Sequence, residues 1–193
     1  SLISLETPGG IKYIDIYKEN GKVVSARVNM GAPILKSRDI PALFDSDTVI
    51  DLPLKVGAKS YRVTCLSMGN PHCVVFSNDA DSVNIQKTGP EFENHPAFPD
   101  RINTEFVQPL SGSRIKMRVW ERGAGETLSC GTGACAAAAA CILNGYCKRD
   151  TDITVTLRGG ELSVNWSADG AVYLTGPAAT VFTGEIACCG GAR

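Results

Sequence analysis

The sequence predicts an α+β fold in which an antiparallel, barrel-like sheet curls around one central helix. Two observations carry this. Thr132 to Leu143 is an unbroken, alanine-rich run, alanine has the highest intrinsic helix propensity, and nothing interrupts the run before Gly145. Elsewhere the chain is a succession of short apolar or alternating segments separated by Asn20-Gly21, Gly159-Gly160 and Asp169-Gly170, dipeptides that turn a chain between strands. A helix surfaced with alanine lets neighbours approach from every side, so strands are expected to wrap it.

Taken in order, Ile11 to Tyr17 and Lys22 to Met30 read as two strands of a β-hairpin, with Val24, Ala26, Val28 and Met30 alternating on one face and Asn20-Gly21 as the turn. Gly31-Ala32-Pro33 ends that pattern. The stretch from Pro33 to Pro53 is punctuated by proline and has little periodicity, as expected of a crossing between lobes, which places a domain boundary near Met30 to Ile34. Tyr61 to Leu66 and Cys73 to Ser77 read as short strands flanking a turn at Asn70-Pro71-His72, and Asp79 to Lys87 as a short helix ended by Gly89-Pro90. Ile115, Met117 and Val119 alternate with Lys116 and Arg118, so Ile115 to Trp120 is a half-buried strand running straight into Glu121. After the alanine helix, Ile153 to Leu157, Glu161 to Trp166 and Ala171 to Thr175 form an antiparallel meander, followed by a last strand from Thr180 to Ile186.

Composition narrows the function classes. At 193 residues with a formal net charge of −1, the chain has room for one good-sized core or two small lobes and lacks the basic footprint of a nucleic-acid binder. The longest apolar stretch, Ala134 to Leu143, is too short to span a bilayer, and the N-terminus does not read as a signal peptide, so a cytoplasmic location is expected, with no membrane partner. The eight cysteines do not pair as CxxC, and the two histidines are His72 and His95, so neither a zinc site nor a disulfide framework is favoured. Cys135 and Cys141 read as packing residues of the helix, His95 as structural, and Cys188 and Cys189 receive no role.

One stretch carries chemistry. In ERGAGETLSCGTGACA, a glycine-containing loop delivers Cys130 to the start of the alanine helix, with Gly131, Thr132 and Gly133 directly behind it. The first amides of a helix lack intrahelical partners and favour negative charge, so this end is expected to hold a carboxylate and to lower the pKa of the thiol beside it. A buried packing cysteine is the bland alternative. The glycines on both sides of the thiol and the charged pair Glu121-Arg122 weigh against it.

The same stretch closely resembles the second cysteine motif of diaminopimelate epimerase, the pyridoxal-independent enzyme that interconverts LL- and meso-diaminopimelate. SMGNPHCV, from Ser67 to Val74, and RINTEF, from Arg101 to Phe106, resemble two further segments of that family in order and spacing. The resemblance implies that Cys130 is one of two acid/base thiols and that no cofactor or metal is needed. It implies that Glu121 assists proton movement at Cys130 and contacts the substrate amine, and that His72 tunes the protonation of the other thiol. Asn70, Asn103 and Arg122 are then expected to recognise the distal end of diaminopimelate, and the amides of Gly131 and Thr132 to meet the carboxylate that receives electron density. Read without the family, Asn70 and Asn103 are turn residues, Glu121 a solvated strand end, and Arg122 a partner for Glu126.

In one respect the sequence departs from the pattern. The family's first cysteine motif, resembling Cys-Gly-Asn-Gly-x-Arg, does not occur in these residues, and SLISLETPGG resembles the family sequence some way beyond it. The chain is therefore expected to be the C-terminal part of an epimerase, inactive alone. Residues 1–30 are then a remnant hairpin of the N-terminal lobe, 31–178 the C-terminal lobe, and 179–193 a strand returning to the first lobe, with a tail. Strand edges left open in this way are expected to be mobile or to pair with a second copy of the chain, as a homodimer. Two other functions share the features: a proline- or hydroxyproline-type racemase, which also uses two thiols and a CGTG-like helix end, and a non-catalytic fragment that binds substrate-like anions.

Overall fold

The computed structural model describes residues 1–7 and 10–186. Its strands are β1 (Leu2–Thr7), β2 (Gly10–Glu19), β3 (Lys22–Gly31), β4 (Val49–Val56), β5 (Lys59–Ser67), β6 (Pro71–Phe76), β7 (Asn103–Ser111), β8 (Arg114–Glu121), β9 (Gly125–Thr127), β10 (Ile153–Leu157), β11 (Gly160–Trp166) and β12 (Val172–Pro177). Two α-helices accompany them, α1 (Ile85–Glu93) and α2 (Gly131–Leu143). The strands join in the order β1-β2-β3-β12-β11-β10-β8-β7-β6-β5-β4, with β9 paired to β8. Ile34 and Ser67 exchange two backbone hydrogen bonds of 2.9 Å, tying the segment after β3 to the end of β5, so distant parts of the strand path meet around α2.

The central helix is as expected. Every residue from Gly133 to Cys141 is buried, and β5 to β8 and β10 to β12 pack on it. Alanine contributes little apolar area of its own. Its smallness instead lets Leu66, Val74, Val107, Ile115, Met117, Val119, Ile153 and Val155 close around the helix. Asn144 ends α2 by donating from Nδ2 to the Ala140 carbonyl (2.8 Å) and to Thr64 Oγ1 (2.9 Å), which also fastens the helix to β5. Gly145 follows with φ +79°, a left-handed turn that suits glycine.

The sheet differs from the expectation in being mixed. β6 pairs with β7, and β8 with β10, in parallel. Parallel neighbours require a long crossover, and these are the two connections that contain helices: α1 lies between β6 and β7, and α2 between β8 and β10. Strands β10 to β12 form the antiparallel meander read from their turns.

Several boundaries move. β1 and β4 were not expected; β4 carries Pro53 on an outer strand, where one missing donor is tolerated. The helix expected over 79–87 starts at Ile85 and runs through Gly89-Pro90, because Gly89 packs against the Trp120 ring so closely that a Cβ there would lie 2.3 Å from it. His72 stands within strand β6 rather than in a loop, the turn being Met68 to Asn70, with Gly69 at φ +96°. The expected strand over 180–186 is exposed coil without a partner strand among the described residues. Asn20 and Gly21, both at positive φ, make the expected hairpin turn between β2 and β3. Cys188 and Cys189, which receive no role from sequence, lie outside the described residues.

Strands β5 to β8 are covered on both faces. One face meets α2; the other, with Val63, Cys65, Cys73, Val75 and Phe106, meets α1 and the loops carrying Ile40, Phe98 and Ile102. Alternation therefore aims Thr64, His72, Asn103, Glu105 and Glu121 towards the helix-α2 side. Among the described residues no helix is long and apolar enough to cross a membrane.

Candidate active site

Cys130 is the N-cap of α2, with extended backbone at φ −138° and ψ 112°. Its carbonyl accepts from Ala134 N (2.9 Å) and its Sγ accepts from Gly133 N (3.4 Å), so the thiol occupies the position that a serine or aspartate side chain holds at other helices. The amides of Gly131 and Thr132 have no hydrogen-bond partner among the described residues. Two unshared donors thus lie beside the sulfur at the positive end of the helix dipole.

The expectation of a lowered thiol pKa is overturned. The Cys130 thiol is pushed up from 9.0 to about 12, first by burial and then by the negative charges of Glu105 and Glu121, while hydrogen bonds from Thr132 and Gly133 pull it down too weakly to compensate. Desolvation of the thiolate is the largest cause.

A chain of hydrogen bonds leads away from the sulfur. Thr132 Oγ1 lies 3.5 Å from Sγ, Asn70 Nδ2 donates to Thr132 Oγ1 (3.2 Å), Asn70 Oδ1 faces His72 Nε2 (3.0 Å), and His72 Nδ1 faces Glu105 Oε1 (2.7 Å). Asn70, His72, Cys130 and Thr132 therefore form one connected cluster, drawn from β6, the turn before it and the start of α2. His72 and Glu105 expose no surface. Burial raises the Glu105 carboxyl, His72 opposes that rise, and Glu121 adds to it.

Glu121 ends β8 and accepts from Thr127 Oγ1 of β9, so β9 fixes its direction. Arg122 is exposed; its Nη1 donates to the Asp100 carbonyl (2.9 Å), and it has no carboxylate partner among the described residues. Glu126, the alternative partner considered from sequence, is held by Arg118 (2.8 Å) and Arg158 (3.1 Å). Asn103 is buried and spends its side chain on backbone: Nδ2 donates to the Pro71 carbonyl (3.0 Å) and Oδ1 accepts from Arg122 N (2.9 Å), which links β6, β7 and the loop after β8.

Two carboxylates escaped the sequence reading. Glu105 sits inside the RINTEF segment, and its signal was a charge between Thr104 and Phe106 in a strand buried on both faces. Glu93 ends α1 and accepts from Trp120 Nε1 (2.7 Å), Gly123 N (2.8 Å) and Arg101 Nη1 (2.9 Å), holding the loop that follows Arg122. Nothing in its local sequence announced that.

The sequence model described as Diaminopimelate epimerase matches residues 64–181, which contain the whole cluster. The chain belongs to the diaminopimelate epimerase family. It is 50% identical over 187 residues to diaminopimelate epimerase of Methanococcus maripaludis strain C5, spanning 96% of this chain and 67% of that relative. It is likewise 50% identical over 192 residues to the enzyme of the same name from Agathobacter rectalis, covering 95% and 67%. The chain thus spans about two thirds of the length of these relatives, and the enzyme class that follows is an epimerase. A solved structure of a probable proline racemase from Agrobacterium radiobacter K84 matches at TM-score 0.68 and 16% identity, over 97% of this chain and 61% of that one. At that identity the likeness concerns the fold.

Proposed function

We propose that the chain carries one acid/base half of a cofactor-independent centre that interconverts LL- and meso-diaminopimelate. The single observation supporting it is the Cys130 sulfur at the start of α2 with the unshared amides of Gly131 and Thr132 beside it. Inverting an α-carbon means removing its proton on one face and returning one on the other. The electron pair released by C–H cleavage moves into the adjoining carboxylate, and donors already aimed there stabilise it without reorganising. The amides of Gly131 and Thr132 are such donors.

A thiol pushed up to about 12 rests protonated at neutral pH, so Cys130 stands ready as the acid that delivers a proton to the carbanion, and in the reverse direction takes one back. A second thiol on the opposite face completes the pair. In this reading Glu121 accepts the substrate ammonium and relays the Cys130 proton. The exposed Arg122 guanidinium suits the distal carboxylate, and Asn70, held between Thr132 and His72, is the half-buried member of the cluster assigned to the substrate's distal end. Asn103 contributes by fixing the loop that presents Arg122. These roles favour a substrate with two charged ends over a proline-like ring.

Residues 1–7, 10–30 and 179–186 are assigned in this proposal to a lobe distinct from residues 31–178, and the product serves lysine and peptidoglycan precursor synthesis. Cys130 serves one face of the α-carbon, so residues 1–193 alone are expected in this reading to catalyse no stereoinversion. The test is proton NMR of LL-diaminopimelate in deuterated water. The intact enzyme should exchange the α-proton and form the meso isomer, and Cys130→Ala should do neither. Wild-type turnover by Cys130→Ala would refute the assignment.

A further inference from the structure

Glu105 stands apart from every other acidic residue described. Its side chain exposes no surface, Oε1 faces His72 Nδ1 at 2.7 Å, and Oε2 is buried with no hydrogen-bond partner. A buried carboxylate oxygen left without a donor is costly and seldom kept for stability alone. It also presses on the thiol's helix turn: a Cβ at Gly133 would lie 2.8 Å from Glu105 Oε1 and 3.2 Å from Cys130 Sγ, so Gly133 is the gap through which carboxylate and sulfur approach each other.

We propose that Glu105 is a positioning residue of the site: it holds the His72 ring, and the hydrogen-bond chain from that ring through Asn70 and Thr132 ends at the Cys130 sulfur. The proposal rests on Cys130 being the reacting thiol. The geometry sets the proton count. With Asn70 Nδ2 given to Thr132, Asn70 Oδ1 is left for His72 Nε2, so Nε2 bears a proton, and a second proton lies in the short contact between Nδ1 and Oε1. Ring orientation, amide orientation and the Thr132 hydroxyl are therefore all referred to one carboxylate. That carboxylate also faces the sulfur across Gly133 and adds to the effect of burial on the thiol.

The titratable groups around the sulfur are Glu105 from β7, Glu121 from β8 and Cys135 from α2; those around Glu105 are His72 and Cys73 from β6, Glu121 and Cys130. Removing the Glu105 charge while keeping its shape should let Cys130 ionise more readily. The experiment is the pH dependence of iodoacetamide alkylation of the chain, mapped by mass spectrometry cysteine by cysteine, for wild type, Glu105→Gln and Glu105→Asp. The expected result is a Cys130 midpoint lowered by about one pH unit or more in Glu105→Gln, an intermediate one in Glu105→Asp, and Cys65, Cys73 and Cys135 unreactive throughout. An unchanged midpoint in a folded Glu105→Gln chain overturns the proposal.

If Glu105→Gln unfolds, so that the buried cysteines react together, the wild-type chain decides. Nitrogen NMR of the His72 ring must then show a proton at Nε2, the nitrogen that faces Asn70 Oδ1, and a bare Nε2 overturns the proposal. None of these readouts needs turnover. Full epimerase activity in Cys130→Ala would sink the proposed function and, with it, the role of Glu105 in the site, whereas an unmoved midpoint removes the role of Glu105 and leaves the proposed function standing.

Discussion

Glu93 and Glu105 are both buried and lie on opposite faces of the same strands, yet they are treated differently. Glu93, on the α1 face, meets donors from Trp120, the Gly123 amide and Arg101. Burial pushes its carboxyl up, but the three donors together hold it below the ordinary value. Glu105, on the α2 face, has one partner and one orphan oxygen, and burial leaves it raised. Thr104 Oγ1, on the α1 face, is also unpartnered, but a hydroxyl is far cheaper to bury than a carboxylate. The contrast teaches that one face uses its buried polar groups as architecture, and the other keeps one under-satisfied where a thiol and free amides converge.

The strongest way to break the comparison is to remove the thiol. Cys130→Ala should reduce epimerisation by the intact enzyme by roughly 10²-fold to 10⁴-fold or more, the range expected for a lost acid/base group, with folding intact by circular dichroism. Cys130→Ser should recover little, since a hydroxyl is a far weaker acid. Next comes Gly133→Ala, whose new methyl would sit against the Glu105 oxygen and the sulfur. It should cost about 1 to 3 kcal/mol in urea unfolding and lower turnover. Gly131→Ala meets only the mobile end of Leu174 at 3.1 Å and should cost less. Equal losses at the two glycines would remove the close approach of Glu105 as the explanation.

On the α1 face, Glu93→Gln should lower stability at neutral pH by about 1 to 3 kcal/mol. Because the folded Glu93 carboxyl lies below 4.5, its contribution is present above that value and fades as pH falls through the folded one. Wild type should therefore lose stability on acidification faster than Glu93→Gln, as thermal melts between neutral pH and mildly acidic pH will show. The smallest effect belongs to Asn144→Ala, about 1 kcal/mol from two lost hydrogen bonds at the far end of α2, with turnover unchanged.

The helix, the hairpin and the meander were legible because each rests on local rules: alanine propensity, an Asn-Gly turn at positive φ, and alternation between Ile115 and Val119. The parallel joins were not, because β6 and β7 become neighbours only through the crossover that carries α1. Cys130 could be placed at a helix end from its glycines alone. Its raised pKa could not, since it comes first from burial by the folded chain and then from the charges of Glu105 and Glu121, 25 and 9 residues earlier in the sequence. Asn103 was legible as important, but its partners, the Pro71 carbonyl and the Arg122 amide, depend on which strands stand side by side.

The most direct measurement is a nitrogen-proton NMR titration of the chain with meso-diaminopimelate, following backbone amides at the two helix starts. The account expects Gly131 and Thr132 to shift in a saturable manner, with Ile85 and Gln86 at the start of α1 unmoved. Saturable shifts at α1 with none at Gly131 and Thr132 would contradict it.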